Sequence, residues 1–249
     1  MPLSIGETFT LTSKVLGEVR TINVYRPPAY GDTSAAPRPV LYMPDGGIAE
    51  DFLHIAGLLQ ISVLNGTMRP FLLVGIENTE RRRDLTGPTR VAKDSSIAPR
   101  VGGSAAFRRF LRTELMPAID ARYATTAESA IMGESLAGLF VVETFLHEPD
   151  LFDTYIAFDP SLWWNDAQLL GDAAAPLRSE WYVEKSLFLA NSAEPELAEL
   201  TARLAAVLER AAPKGMTLHH EAMPGESHGT IYHPAALAAI RRVLKPAAP

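Results

Sequence analysis

Five short apolar runs, "PVLYMPDGG" (39–47), "FLLVGIEN" (71–78), "SAIMGES" (129–135), "TYIAFDPS" (154–161) and "SLFLANS" (186–192), each stop at Gly, Asp, Asn or Ser. None alternates apolar with polar residues as a strand with one wet face would, so they read as strands buried on both faces of a parallel sheet. Helical periodicity fills the intervals at 51–64, 105–123, 136–148 and 195–212, and a last strand, "MTLHHEAM", precedes a last helix, "PAALAAIRRVLK". Strand and helix in alternation require a doubly wound sheet with right-handed crossovers. The opening differs: "TFTLTSKVL" and "VRTINVYRP" alternate around Gly17, as an antiparallel hairpin does. The fold class read from the chain is therefore α/β, with a mostly parallel central sheet, an antiparallel N-terminal hairpin and helices on both faces.

With 249 residues and 47% hydrophobic content the chain can bury one large core, and it reads as a single domain, 1–249, with a cap-like insertion at about 161–186. The Pro-rich stretch 35–39 reads as a loop and the terminal "PAAP" as a frayed end. Subtracting 29 acids from 23 bases leaves −6, a balance that disfavours nucleic acid and anionic membranes as partners. Cysteine is absent, which removes disulfides and thiolate chemistry. The N-terminal segment lacks a basic stretch followed by an apolar one, and no run of about 18 apolar residues occurs, so a cytoplasmic protein is expected.

Chemistry concentrates at "AIMGESLAGLF" (130–140). Ser135 falls where a strand ends and a helix begins, at the rim of the sheet where ligands bind in such folds. A serine in so tight a turn needs small residues two positions to either side, supplied by Gly133 and by Ala137, where Gly is more usual. A helix N-cap would also place a serine there; a nucleophile needs an acid and a histidine later in the chain. His228, in "MPGESHGTIYHP", lies between the last strand and the last helix and is the histidine that fits. The acid stays open among Glu194, four residues past the last apolar position of its strand, Glu196 and Asp159, with Glu194 placed first. Oxyanion donors are expected from the N–H of Leu136 and from "MPDGG", at Gly46 or Gly47.

In "INVYRPP", "VLYMPDGG", "VGIENTERRRDLTGPT", "FLRTELMPAIDARY", "GESLAGLF", "DPSLWWND" and "ESHGTIYHP", in that order, the chain resembles the esterase D ("Putative esterase") family of α/β hydrolases, above all its siderophore (enterobactin-type) esterase branch. The resemblance implies Ser135 as nucleophile and His228 as base. The function expected is a serine carboxylic-ester hydrolase working through an acyl-enzyme, with no cofactor and no metal, on a small-molecule ester. Because the chain is acidic and has no export signal, a short-chain ester is expected; a ferric catecholate trilactone, or acyl transfer on the same residues, is the alternative. A binding protein without catalysis is opposed by the intact Ser, His and Gly positions. Metal hydrolysis is opposed because the histidines of "HGTIYH" lack the i, i+4 spacing. Arg82, in "RRRD", is a candidate grip on an anionic substrate, and Trp163 and Trp164 are candidate walls of an acyl or aryl pocket.

Overall fold

Helices cover both faces of the sheet, which is why its inner strands carry no polar face. The computed structural model describes residues 4–29, 36–178 and 180–246. In chain order its elements are β1 (Glu7–Ser13), β2 (Glu18–Tyr25), β3 (Arg38–Pro44), α1 (Phe52–Leu64), β4 (Leu72–Ile76), the single turns α2 (Arg81–Asp84) and α3 (Ala92–Ser95), and α4 (Ser104–Phe110). A π-helical turn (Leu111–Leu115) leads into α5 (Met116–Arg122), then β5 (Thr125–Glu134), α6 (Leu136–His147), β6 (Thr154–Phe158) and α7 (Trp164–Asp172). The chain continues through β7 (Ser186–Asn191), α8 (Pro195–Ala211), β8 (Thr217–Ala222) and α9 (Tyr232–Val243). Arg38 and Pro39 of the expected loop already belong to β3; residue 35 and residues 247–249 lie outside the described residues.

The eight strands run β1-β2-β4-β3-β5-β6-β7-β8. β1 pairs antiparallel with β2, and β2 antiparallel with β4; every other pair is parallel. This is the mostly parallel sheet with an antiparallel hairpin read from the sequence. Along the inner strands successive residues enter different cores. Val40 and Tyr42 face the layer of α4, α5, α6 and α8, whereas Leu41 and Met43 face α1 and α9. Ile131, Tyr155 and Leu187 repeat the first choice; Met132, Ile156 and Phe188 repeat the second. Leu162, Leu170, Leu177 and Tyr182 of the 161–186 segment pack into the α6 and α8 side of the core.

One expected helix, 105–123, is interrupted by the π turn just ahead of Pro117. Proline has no N–H to donate, and its ring presses on the carbonyl four residues back; a widened turn relieves both. The consequence for function lies at β3. Because β4 and β5 flank it, the winding of the sheet reverses there, and the segments leaving β3 and β5 emerge side by side at their carboxyl ends. Among the described residues no helix is long and apolar enough to cross a membrane.

Candidate active site

Three non-glycine residues at the carboxyl ends of neighbouring strands have positive φ: Asp45 after β3 (56°), Ser135 after β5 (60°) and Asp159 after β6 (38°). Such conformations cost on the order of 1–3 kcal/mol each and persist where the surroundings hold them. At Ser135 (φ 60°, ψ −120°) the restraint is visible. Its N–H donates to Phe158 O at 3.0 Å, and its carbonyl accepts the N–H groups of Leu139 (2.9 Å) and Ser161 (3.0 Å). A Cβ on Gly133 would stand 2.7 Å from the backbone of Ala137, so the elbow closes only over a glycine.

His228 reaches this elbow from the loop between β8 and α9. Ser227 O accepts the N–H groups of Thr230 and Ile231, and Glu226 O accepts that of Ala193, fixing the loop to the segment after β7. The Ser135 hydroxyl lies 3.1 Å from His228 Nε2, and His228 Nδ1 lies 3.1 Å from Asp159 Oδ2. Nδ1–H donating to the carboxylate leaves the Nε2 lone pair free to accept the serine proton. Asp159 is fully buried, and its other oxygen accepts Ser192 N–H at 2.7 Å. Burial pushes its pKa up, but the bonds from His228 and Ser192 outweigh this and hold it below the ordinary carboxylate value. The hydrogen bond with Asp159 raises His228 above 6.5, against the effect of burial, and the charges of Glu134, Asp159 and Glu194 add to the rise.

Of the three acids considered from sequence, it is thus Asp159 that stands behind the imidazole. Glu194, placed first, is exposed at the start of α8 and lies with Ser135 and His228 along the wall of a cavity of about 500 Å³. The chain turns away into α8 at Pro195, carrying Glu194 and Glu196 to the cavity rim. Asp159 directly follows Phe158, the strand partner of Glu134, and so emerges beside the serine.

Glu134, the residue before the serine, received no role from the sequence. Its Oε1 lies 3.3 Å from the same His228 Nδ1. Burial raises its pKa from 4.5 to about 7, against the pull of His228 and Arg81 and with the repulsion of Asp159 and Asp45. Arg81 clamps Asp45 through both carboxylate oxygens (2.6 and 2.8 Å), with Asn78 on the same carboxylate at 2.5 Å. The middle position of a Gly-x-Ser turn is the signal that could have marked Glu134, since its side chain leaves the chain directly beside Ser135.

Leu136 opens α6, and a first-turn N–H has no acceptor within its own helix. The expected partner at Gly46 is a different case. Its N–H donates to Ile76 O at 3.0 Å, because Gly46 lies against the backbone of Gly75 so closely that a Cβ would come within 2.3 Å. Gly47 N–H donates to Glu50 Oε2 at 2.7 Å. Both glycine donors are therefore engaged in holding the loop.

Trp163 lines the cavity beside Ser135 and Ser161. Trp164 does not: it is buried, donates its indole N–H to Gly87 O at 2.9 Å, and lines a separate hollow of about 310 Å³. Arg82 donates to Ile97 O and lines a third hollow, with Pro99 and Arg100. Its neighbours in "RRRD" are held in ion pairs, Arg81 with Asp45 and Arg83 with Glu18. Among the described residues no group of three His, Asp or Glu could hold a metal ion.

The profile of the family described as "Putative esterase" matches residues 13–206. The ferri-bacillibactin esterase BesA of Bacillus subtilis is 40% identical over 114 residues, covering 41% of this chain and 39% of that protein. The siderophore triacetylfusarinine C esterase of Aspergillus fumigatus is 32% identical over 194 residues, 70% of this chain and 62% of that protein. Both matches span less than two thirds of the relative's length. Among solved structures, an IroE-like serine hydrolase from Shewanella oneidensis superposes with a TM-score of 0.87 at 28% identity, covering 96% of this chain and 80% of that one.

Proposed function

The chain belongs to the "Putative esterase" family of α/β hydrolases, and from that premise we propose that it is a serine carboxylic-ester hydrolase in which Ser135, His228 and Asp159 act as a triad. The observation that carries the reading is the unbroken series Ser135 Oγ, His228 Nε2, His228 Nδ1, Asp159 Oδ2, with a separation of 3.1 Å at each of its two hydrogen bonds.

The reaction follows from the geometry. His228 Nε2 takes the hydroxyl proton as Ser135 Oγ attacks the ester carbonyl, and the oxygen of the tetrahedral intermediate receives the N–H of Leu136. The C–O bond to the alcohol breaks as the imidazolium returns the proton to the leaving oxygen, which leaves an acyl group on Ser135. A water, deprotonated by the same nitrogen, attacks the acyl carbonyl and releases the acid. Asp159 stays ionised throughout: it holds the tautomer and stabilises the imidazolium.

The substrate proposed is a siderophore ester. Two relatives are named for siderophore esters, and a cavity of about 500 Å³ walled by Trp163 and Leu197 is of the size that holds a drug-sized ligand. A short acyl chain, the substrate expected from the sequence, would fill a small part of it. The test is to compare kcat/KM for ferric triacetylfusarinine C, ferric bacillibactin and p-nitrophenyl acetate, with Ser135→Ala as the control. Hydrolysis of a siderophore ester at least ~100-fold more efficient than that of the acetate supports the reading; preference for the acetate returns the enzyme to short-chain esters.

A further inference from the structure

We propose that Glu134 is a second orienting carboxylate for His228, able to take over Nδ1–H when Asp159 cannot accept it. The inference rests on the reading of Ser135 and His228 as nucleophile and base. Two oxygens from different strand ends, Asp159 Oδ2 at 3.1 Å and Glu134 Oε1 at 3.3 Å, stand within reach of one nitrogen that carries a single hydrogen. Among the described residues, His228 is the one basic group within 4 Å of the Glu134 carboxylate.

The two acids are held differently. Asp159 is fixed from behind by Ser192 and is fully buried. Glu134 is the last residue of β5 and directly precedes Ser135, so its carboxylate leaves the same strand end as the nucleophile. The charged and titratable groups that face Glu134 are His228 from the β8–α9 loop, Arg81 of α2, Asp159 after β6, Asp45 after β3 and Tyr232 of α9. Arg81 is committed to Asp45 in a two-bond ion pair, which leaves the imidazole as the nearer cation when His228 protonates. Protonation of His228 in the acylation step then meets two carboxylates. Burial raises Glu134 to about 7 and a protonated His228 pulls it back down, so the charge that Glu134 offers grows with pH through the same range in which the imidazole titrates.

Glu134 is a positioning residue acting through His228, and its effects separate from those of a structural role by pH and by combination. The experiment measures kcat and kcat/KM for p-nitrophenyl acetate from pH 5 to 9 in Glu134→Gln, Asp159→Asn and the double variant of the full chain. The imidazole titration of His228 is followed by NMR in a Ser135→Ala background, where no turnover is needed. A sole orienting acid replaced by its amide costs about 10⁴-fold in kcat. The expected result is that Asp159→Asn alone loses at least ~10-fold less than this, because Glu134 takes over, and that the double variant falls by the full ~10⁴-fold. Glu134→Gln alone should move the acidic limb of kcat/KM and the His228 titration to lower pH, because a charge that favours imidazolium is gone. Asp159→Asn as deep as the double variant, or a His228 titration unmoved by Glu134→Gln, overturns the proposal. The titration answers even if p-nitrophenyl acetate is not turned over, so failure of the esterase reading and failure of the role given to Glu134 are seen separately.

Discussion

Ser135 and Asp159 are the residues immediately beyond a paired Glu134 and Phe158 on adjacent parallel strands, and both leave their strands with positive φ. Their backbones are joined through Ser135 N–H to Phe158 O and Ser161 N–H to Ser135 O. Ser135 and Asp159 therefore rise from one rim, and the imidazole of His228 lies between them on a loop. Asp159→Asn should lower kcat at least ~10 times more than Glu194→Gln, whose carboxylate stands at the cavity rim. Steady-state kinetics of the two variants decide this, and equal losses would remove Asp159 from the triad.

The pH dependence follows from the sign of one shift. His228 must be neutral to accept the serine proton, and its pKa is raised above 6.5, first by the hydrogen bond to Asp159. Activity is therefore low below the raised value and appears as pH climbs through it. A pH profile of kcat/KM should place the acidic limb above 6.5, and Asp159→Asn should move it down.

Glu134 carries the opposite consequence for stability. Its carboxyl group titrates near 4.5 in the unfolded chain and at about 7 in the folded protein, so between these values the folded state holds the extra proton. Stability falls as pH rises through that window and levels off above it. Glu134→Gln removes the penalty: thermal or urea unfolding should show no gain at pH 4 and a gain of up to about 3 kcal/mol at pH 8.

Gly133→Ala tests the elbow. The added methyl would meet the Ala137 backbone at 2.7 Å, a clash expected to cost about 1–3 kcal/mol and to displace Ser135 Oγ from Nε2. The melting temperature and kcat should fall together.

How far the sequence carried this picture depended on whether the signal was local. The strands were legible because both of their faces meet helices, so Val40 to Met43 and Ile131 to Met132 are apolar without a break. Ser135 and His228, which the fold brings within 3.1 Å of each other, could be picked out from their places between elements. Asp159 was visible as a strand-end acid but ranked last, because distance past the last apolar residue says nothing of which strand end the imidazole loop overhangs. The neighbour relation of β5 and β6 decides that, and it is a property of the sheet. Gly46 was misplaced for a similar reason: its lack of a side chain serves contact with Gly75 on β4. Of two adjacent tryptophans, Trp163 faces the cavity and Trp164 is buried with its indole N–H on Gly87 O, a division that depends on which surfaces the fold brings against each.

The central claim, that Ser135 becomes acylated, is tested most directly by trapping the nucleophile. The protein is treated with a fluorophosphonate and digested, and the modified peptide is mapped by mass spectrometry beside an identically treated Ser135→Ala variant. The account predicts one adduct, on Ser135, formed as esterase activity is lost, and none on the variant. Full activity with Ser135 unmodified, or an adduct on another residue whose formation tracks the loss of activity, would contradict it.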